Sequence, residues 1–225
     1  MIAATGLRWV LSLIFAAPVL YGVWRMLLPG TKAAERVDHA LHAVMGVLMI
    51  AMAWPQGMDL PPVPQVVLFS AGGVWFVATA PFRAGDRSRG KAVVAALPHV
   101  VMMGAMAWMV AAMDSSGSMS GSTAAGGAQS MQGMDMSGGS GLAAMTLAGA
   151  GPKAAAVLFA VVLGGLGLAW LTRALDRARD GGSGESREVL AGDAVPVETA
   201  TGSALSPACH AAMALGMAVM FVLLV

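Results

Sequence analysis

Six runs of mainly apolar residues, at about 7–28, 37–54, 64–82, 92–113, 153–174 and 207–225, leave little of this chain for anything else. A run of about 20 such residues is long enough to cross the hydrocarbon of a bilayer. Inside lipid, every backbone N–H and C=O must find its partner within the segment, so each run can only be a helix. Hydrophobic residues make up 57% of the chain and charged ones 11%, far from the balance of a water-soluble globule. The expected fold is therefore all-α: one membrane domain over 1–225, a bundle of six transmembrane helices.

Basic residues set the expected orientation. Arg25, Lys32 and Arg36 follow the first run, Arg83, Arg87, Arg89 and Lys91 the third, and Arg173, Arg177, Arg179 and Arg187 the fifth. Eleven of the 13 basic residues thus fall in alternate connections, which the positive-inside rule assigns to the cytoplasm. The N-terminus, the C-terminus and the connections at 55–63 and 114–152 then face outward. No basic stretch precedes the first run and Arg8 lies within it, so that run reads as a retained helix rather than a cleaved signal.

On this plan the second, fourth and sixth helices run the same way, and each begins with the same phrase. It reads His42-x2-Met45-x3-Met49-x2-Met52, then His99-x2-Met102-x3-Met106-x2-Met109, then His210-x2-Met213-x3-Met217-x2-Met220. Offsets of three, seven and ten residues place all four side chains on one stripe of a helix. The chain reads as three parallel, pseudo-repeated helical hairpins, each pairing a plain helix with a ladder helix. Stripes converging on one axis would stack a layer of three His and three layers of three Met, spanning about 15 Å at 1.5 Å per residue.

Two polar connections interrupt the plan. The outer one, 114–152, is rich in Gly, Ser and Met and lacks the apolar density needed to offset ordering entropy. The inner one, 175–206, is a charged, Gly-rich linker. Both are expected to be disordered. Pro98 and Pro207 are expected in the first turns of their helices. Gly164, Gly165 and Gly167 offer small surfaces for close helix packing.

Thioether sulfur is a soft, neutral ligand that selects Cu(I) over harder divalent ions, and imidazole is a compatible partner. Neutral ligands hold a monovalent cation in a membrane without burying a compensating charge, and successive low-coordinate layers let an ion leave each site. The twelve ladder residues are thus candidate ligands for Cu(I). Met113, Met119, Met131, Met134 and Met136 form a candidate outer collecting segment, and His39 with Cys209 a candidate inner transfer site. The pairs Met45-x3-Met49, Met102-x3-Met106 and Met213-x3-Met217 resemble the Met-x3-Met pore motif of Ctr-type copper transporters. That resemblance covers the motifs alone, since those proteins assemble three short subunits, and it implies similar chemistry on a different chain plan.

Over its whole length, through DHALHAVM, PHVVMMGAMAW and CHAAMALGMAVM, the chain resembles an actinobacterial family of multi-pass membrane proteins without an assigned function. The resemblance implies a bacterial plasma-membrane location and supplies no site residues. Two other functions fit the residues. Haem could be ligated by His42, His99 and His210 in an electron-transfer bundle. A scaffold would use the Met stripes simply as packed core, for which Met is well suited. Soluble-enzyme chemistry is not expected: no phosphate-binding Gly loop, nucleophile elbow or intramembrane carboxylate pair occurs. No basic run with interleaved aromatics points to nucleic acid. The single cysteine excludes a disulfide framework.

Overall fold

In the computed structural model, which describes residues 5–54, 57, 60–83, 88–122, 147, 150–188 and 198–225, the six apolar runs are helices. They are α1 (Thr5–Leu27), α2 (Ala33–Ala53), α3 (Pro62–Thr79), α4 (Arg89–Ser122), α5 (Ala150–Glu188) and α6 (Glu198–Val222), with a 3-10 turn at Ala80–Arg83 after α3. Each is long and apolar enough to cross a membrane. Among the described residues there is no strand, so the chain is an all-α bundle of six candidate membrane spans.

The helices overrun the apolar runs at several ends. α4 continues to Ser122, α5 to Glu188, and α6 begins at Glu198, because a helix leaving the hydrocarbon still satisfies its own backbone and needs no apolar side chains to continue. The remainder of the two connections expected to be disordered lies outside the described residues. Pro98 and Pro207 are also deeper than expected: both sit inside their helices, nine residues after the first position of each. Each removes one backbone donor there and leaves a carbonyl of the preceding turn without its usual partner.

Packing is strongest within consecutive pairs, α1 with α2, α3 with α4 and α5 with α6; α1 also packs on α6, and α4 on α5. Small residues set these distances. A Cβ added at Gly46 would lie 2.5 Å from a Val19 methyl, and one at Gly22 would lie 3.1 Å from the His39 carbonyl oxygen, so α1 and α2 approach backbone to backbone. Between them the chain turns at Gly30, whose φ of 91° lies in the region a side chain disfavours. Thr31 Oγ1 donates to the carbonyls of Arg25 and Leu28, tying down the end of α1.

Of Gly164, Gly165 and Gly167 in α5, only Gly167 meets its neighbour: a Cβ there would stand 2.7 Å from Leu215 Cγ and 3.2 Å from its backbone nitrogen. Gly164 and Gly165 face open space. Gly167→Val is therefore expected to lower the thermal unfolding temperature of the purified protein, whereas Gly164→Val leaves it nearly unchanged, since only the first forces α5 from α6.

Among the described residues, a cluster along the axis forms the core, built from the nine ladder methionines with Leu11, Phe15, Phe69, Leu163 and Phe221. At the end remote from the His residues, Trp54 donates to Ser12 Oγ and packs edge-on against Trp9. Trp108, Phe159 and Phe221 form a second aromatic group joining α4, α5 and α6. Leu147 is buried there as well, its N–H donating to the Leu224 carbonyl at the end of α6.

Candidate metal centre

Helical spacing puts His42, His99 and His210 on the inward stripes of α2, α4 and α6, and packing brings the three rings to one depth. Their centroids are 5.2 Å (His42–His99), 4.9 Å (His42–His210) and 4.9 Å (His99–His210) apart, a nearly equilateral triangle of edge-on rings. One ligand nitrogen from each lies within 4.8 Å of the others.

Helix geometry also fixes the protons on two of them. His42 Nδ1 lies 2.7 Å from the Asp38 carbonyl oxygen and His210 Nδ1 lies 2.7 Å from that of Ser206, each four residues earlier. A carbonyl oxygen only accepts, so both Nδ1 atoms carry the hydrogen and both Nε2 atoms keep a free lone pair. This is the arrangement seen in metal-ligating histidines, whose second nitrogen is anchored to an acceptor. His42 is only 7% exposed, and its Nε2 is buried without a hydrogen-bond partner. An orphaned acceptor in an apolar bundle carries an unrepaid desolvation cost, which a bound cation removes.

Aromatic rings close two sides of the triangle. Phe76 from α3 stacks on His99 at 5.1 Å and meets His42 edge-on at 5.5 Å. Trp170 from α5 packs against His210 at 5.2 Å and His99 at 5.7 Å. Neither was singled out as part of a site by sequence reasoning. Only the register between hairpins reveals them, because within its own helix each looks like an ordinary core or interfacial aromatic. Trp75 Nε1 donates to Asp38 Oδ1 at 3.0 Å, so the residue whose carbonyl anchors His42 is itself tied to α3.

Among the described residues, two cavities adjoin the triad. The larger, about 330 Å³, opens between α1, α2, α4 and α6 and is lined by all three His, by Tyr21, Asp38 and His39, by Ala95 and Ala96, and by Cys209 and Met213. The candidate inner pair, His39 and Cys209, thus shares one space with the triad. The smaller, about 150 Å³, lies between α5 and α6 behind Trp170, with Arg173 and Arg177 in its wall.

The nine ladder methionines are all buried, with Met45, Met49, Met102, Met106 and Met217 at 0% exposure and none of the others above 8%. Met113 is partly buried against the same core. The side chain of Met119, and all of Met131, Met134 and Met136, lie outside the described residues, as does most of the proposed collecting segment.

A family model described as a domain of unknown function (DUF5134) matches residues 34–224, and so includes all three ladder helices. The chain is 38% identical over 109 residues to an uncharacterized protein of Mycobacterium bovis (Mb0995) and to one of Mycobacterium tuberculosis (Rv0970). Those alignments cover 48% of this chain and 50% of each relative, so the chain spans about half the length of the curated relatives it matches. No solved structure matches it.

Proposed function

We propose that this chain, which belongs to the DUF5134 family, binds a soft metal ion at His42, His99 and His210, and that the ion is Cu(I). The observation that carries this reading is the convergence of three imidazoles whose ligand nitrogens lie within 4.8 Å, one of them, His42 Nε2, buried without a partner. Metal–imidazole bonds of about 2.0–2.1 Å place three nitrogens roughly 3.5 Å apart, so small ring rotations bring the triad onto an ion. The sulfur-bearing layer Met45, Met102 and Met213 stands one turn deeper on the same stripes, and Met213 reaches the wall of the triad cavity. Neutral imidazoles with thioethers beyond them favour Cu(I) over hard or divalent ions.

Ring centroids 4.9–5.2 Å apart, walled by Phe76 and Trp170, leave no space for a macrocycle between any two histidines, which favours a small ion over haem. The positive-inside rule puts the His end in the cytoplasmic leaflet of a bacterial plasma membrane, with both termini outside. From there the buried Met layers extend outward, and a dehydrated Cu(I) ion passing from sulfur to sulfur needs no water-filled lumen. Translocation along the ladder is the fuller form of this reading. It would place the outer methionines Met113, Met119, Met131, Met134 and Met136 at its far end.

Metal analysis and an absorption spectrum of protein purified after growth with copper test the binding. Stoichiometric copper without a Soret band is expected; a Soret band would replace Cu(I) with haem. Changing Met45, Met102 and Met213 together to Leu roughly conserves volume, so the fold is expected to tolerate it within about 1.5 kcal/mol per site. Copper-dependent uptake or release in vesicles should nevertheless fall at least tenfold. Unchanged copper movement in the triple variant would leave the methionines as packing.

A further inference from the structure

The plain helices α1, α3 and α5 share a register. Phe15, Phe69 and Leu163 are each fully buried, at 0%, 1% and 0% exposure, in the same axial core. Seven residues further along, two helical turns toward the His end, stand Gly22, Phe76 and Trp170. Phe76 and Trp170 each lie against the His of their own hairpin and that of the preceding one. The equivalent place between His42 and His210 belongs to α1, which packs between α2 and α6, and there the chain has glycine. The cavity of about 330 Å³ opens at this end, walled by Tyr21 and Gly22 of α1 together with residues of α2, α4 and α6, with room for roughly ten water molecules.

The charges of the two cavities differ. Glu35 and Asp38 line the larger cavity with Lys91, and Arg25 acts on its wall at Tyr21 and His39, whereas Arg173 and Arg177 line the space behind Trp170. Only the larger cavity offers carboxylates to an arriving cation. At the deep end the axis is filled by buried methionines.

We propose that this cavity is the port through which the ion enters and leaves the triad from the His end, a reading that rests on the triad's being a metal site. The port admits a cation together with water or a small carrier ligand, and the triad strips these away. All three histidines stand in the port wall, with His42 Nε2 buried behind it as an acceptor without a partner. Cys209, the only cysteine and partly exposed in the cavity wall, reports whether the port is open.

The test narrows the cavity. Gly22→Phe adds a ring from α1, but a Cβ there lies 3.1 Å from the His39 carbonyl oxygen and 3.4 Å from Ala43 Cβ, so α2 must shift to admit it. Ala95→Phe fills the cavity from α4, at an exposed position, without separating α1 from α2. Purified protein loaded with Cu(I) is mixed with excess Cu(I) chelator, and metal-free protein with N-ethylmaleimide. Each variant is expected to slow chelator withdrawal and Cys209 labelling at least tenfold, with the Cu(I) bound at saturation unchanged. Withdrawal as fast as in the parent, with labelling slowed, overturns the port and leaves the metal site standing. Labelling unslowed in both variants overturns it equally. Parent protein that binds no Cu(I) removes the metal reading itself, and the port with it.

Discussion

Replacing any one of His42, His99 or His210 with alanine is expected to weaken Cu(I) binding by more than 100-fold, about 2.7 kcal/mol. The three effects should be similar in size. Each ring contributes one nitrogen to a triangle with sides of 4.9–5.2 Å, and two imidazoles cannot complete the set. Equality is the informative part, because burial is unequal: His42 is 7% exposed, whereas His99 and His210 are half-buried. Packing alone would make His42→Ala the most damaging change and leave copper unaffected. Competition against a Cu(I) chelator gives the affinities, and thermal unfolding of the metal-free variants gives the structural cost. Loss of stability graded by burial, with no change in copper affinity, would exclude the triad as ligands.

Gly216→Val is expected to disrupt the packing of α1 on α6 severely. A Cβ at Gly216 would lie 2.6 Å and 2.8 Å from Phe15 ring atoms, and Phe15 is fully buried, so the ring has nowhere to swing. Overpacking of this kind costs about 1–3 kcal/mol, and here it acts on the contact that seats α1 against α6. Folded protein recovered from membranes should fall several-fold. Combining Gly216→Ala with Phe15→Leu should recover at least about 1 kcal/mol relative to the sum of the single changes, as coupled neighbours do. Strict additivity in that cycle would mean the two residues do not touch.

The inward stripes were legible because they are local. Offsets of three, seven and ten residues leave four side chains on one face whatever surrounds the helix, and those twelve positions form the buried or half-buried lining of the axis. The anchoring of His42 and His210 through Nδ1 is equally local, since a helix always sets a carbonyl four residues back. Pro98 and Pro207 misled for the complementary reason. A proline signals the first turn of a helix in isolation, but continued backbone bonding starts α4 and α6 nine residues ahead of it.

The sequence by itself determined that this chain builds six apolar helices and that three of them carry a His/Met stripe. Hydrophobic length and helical period act within one segment and need no partner. Only the tertiary structure decided what stands around the triad. Phe76 and Trp170 become walls, and His39 and Cys209 residents of one cavity, through the packing of the helices on one another. That packing is set by close approach within hairpins at Gly22, Gly46 and Gly167 and between the first and third hairpins at Gly216.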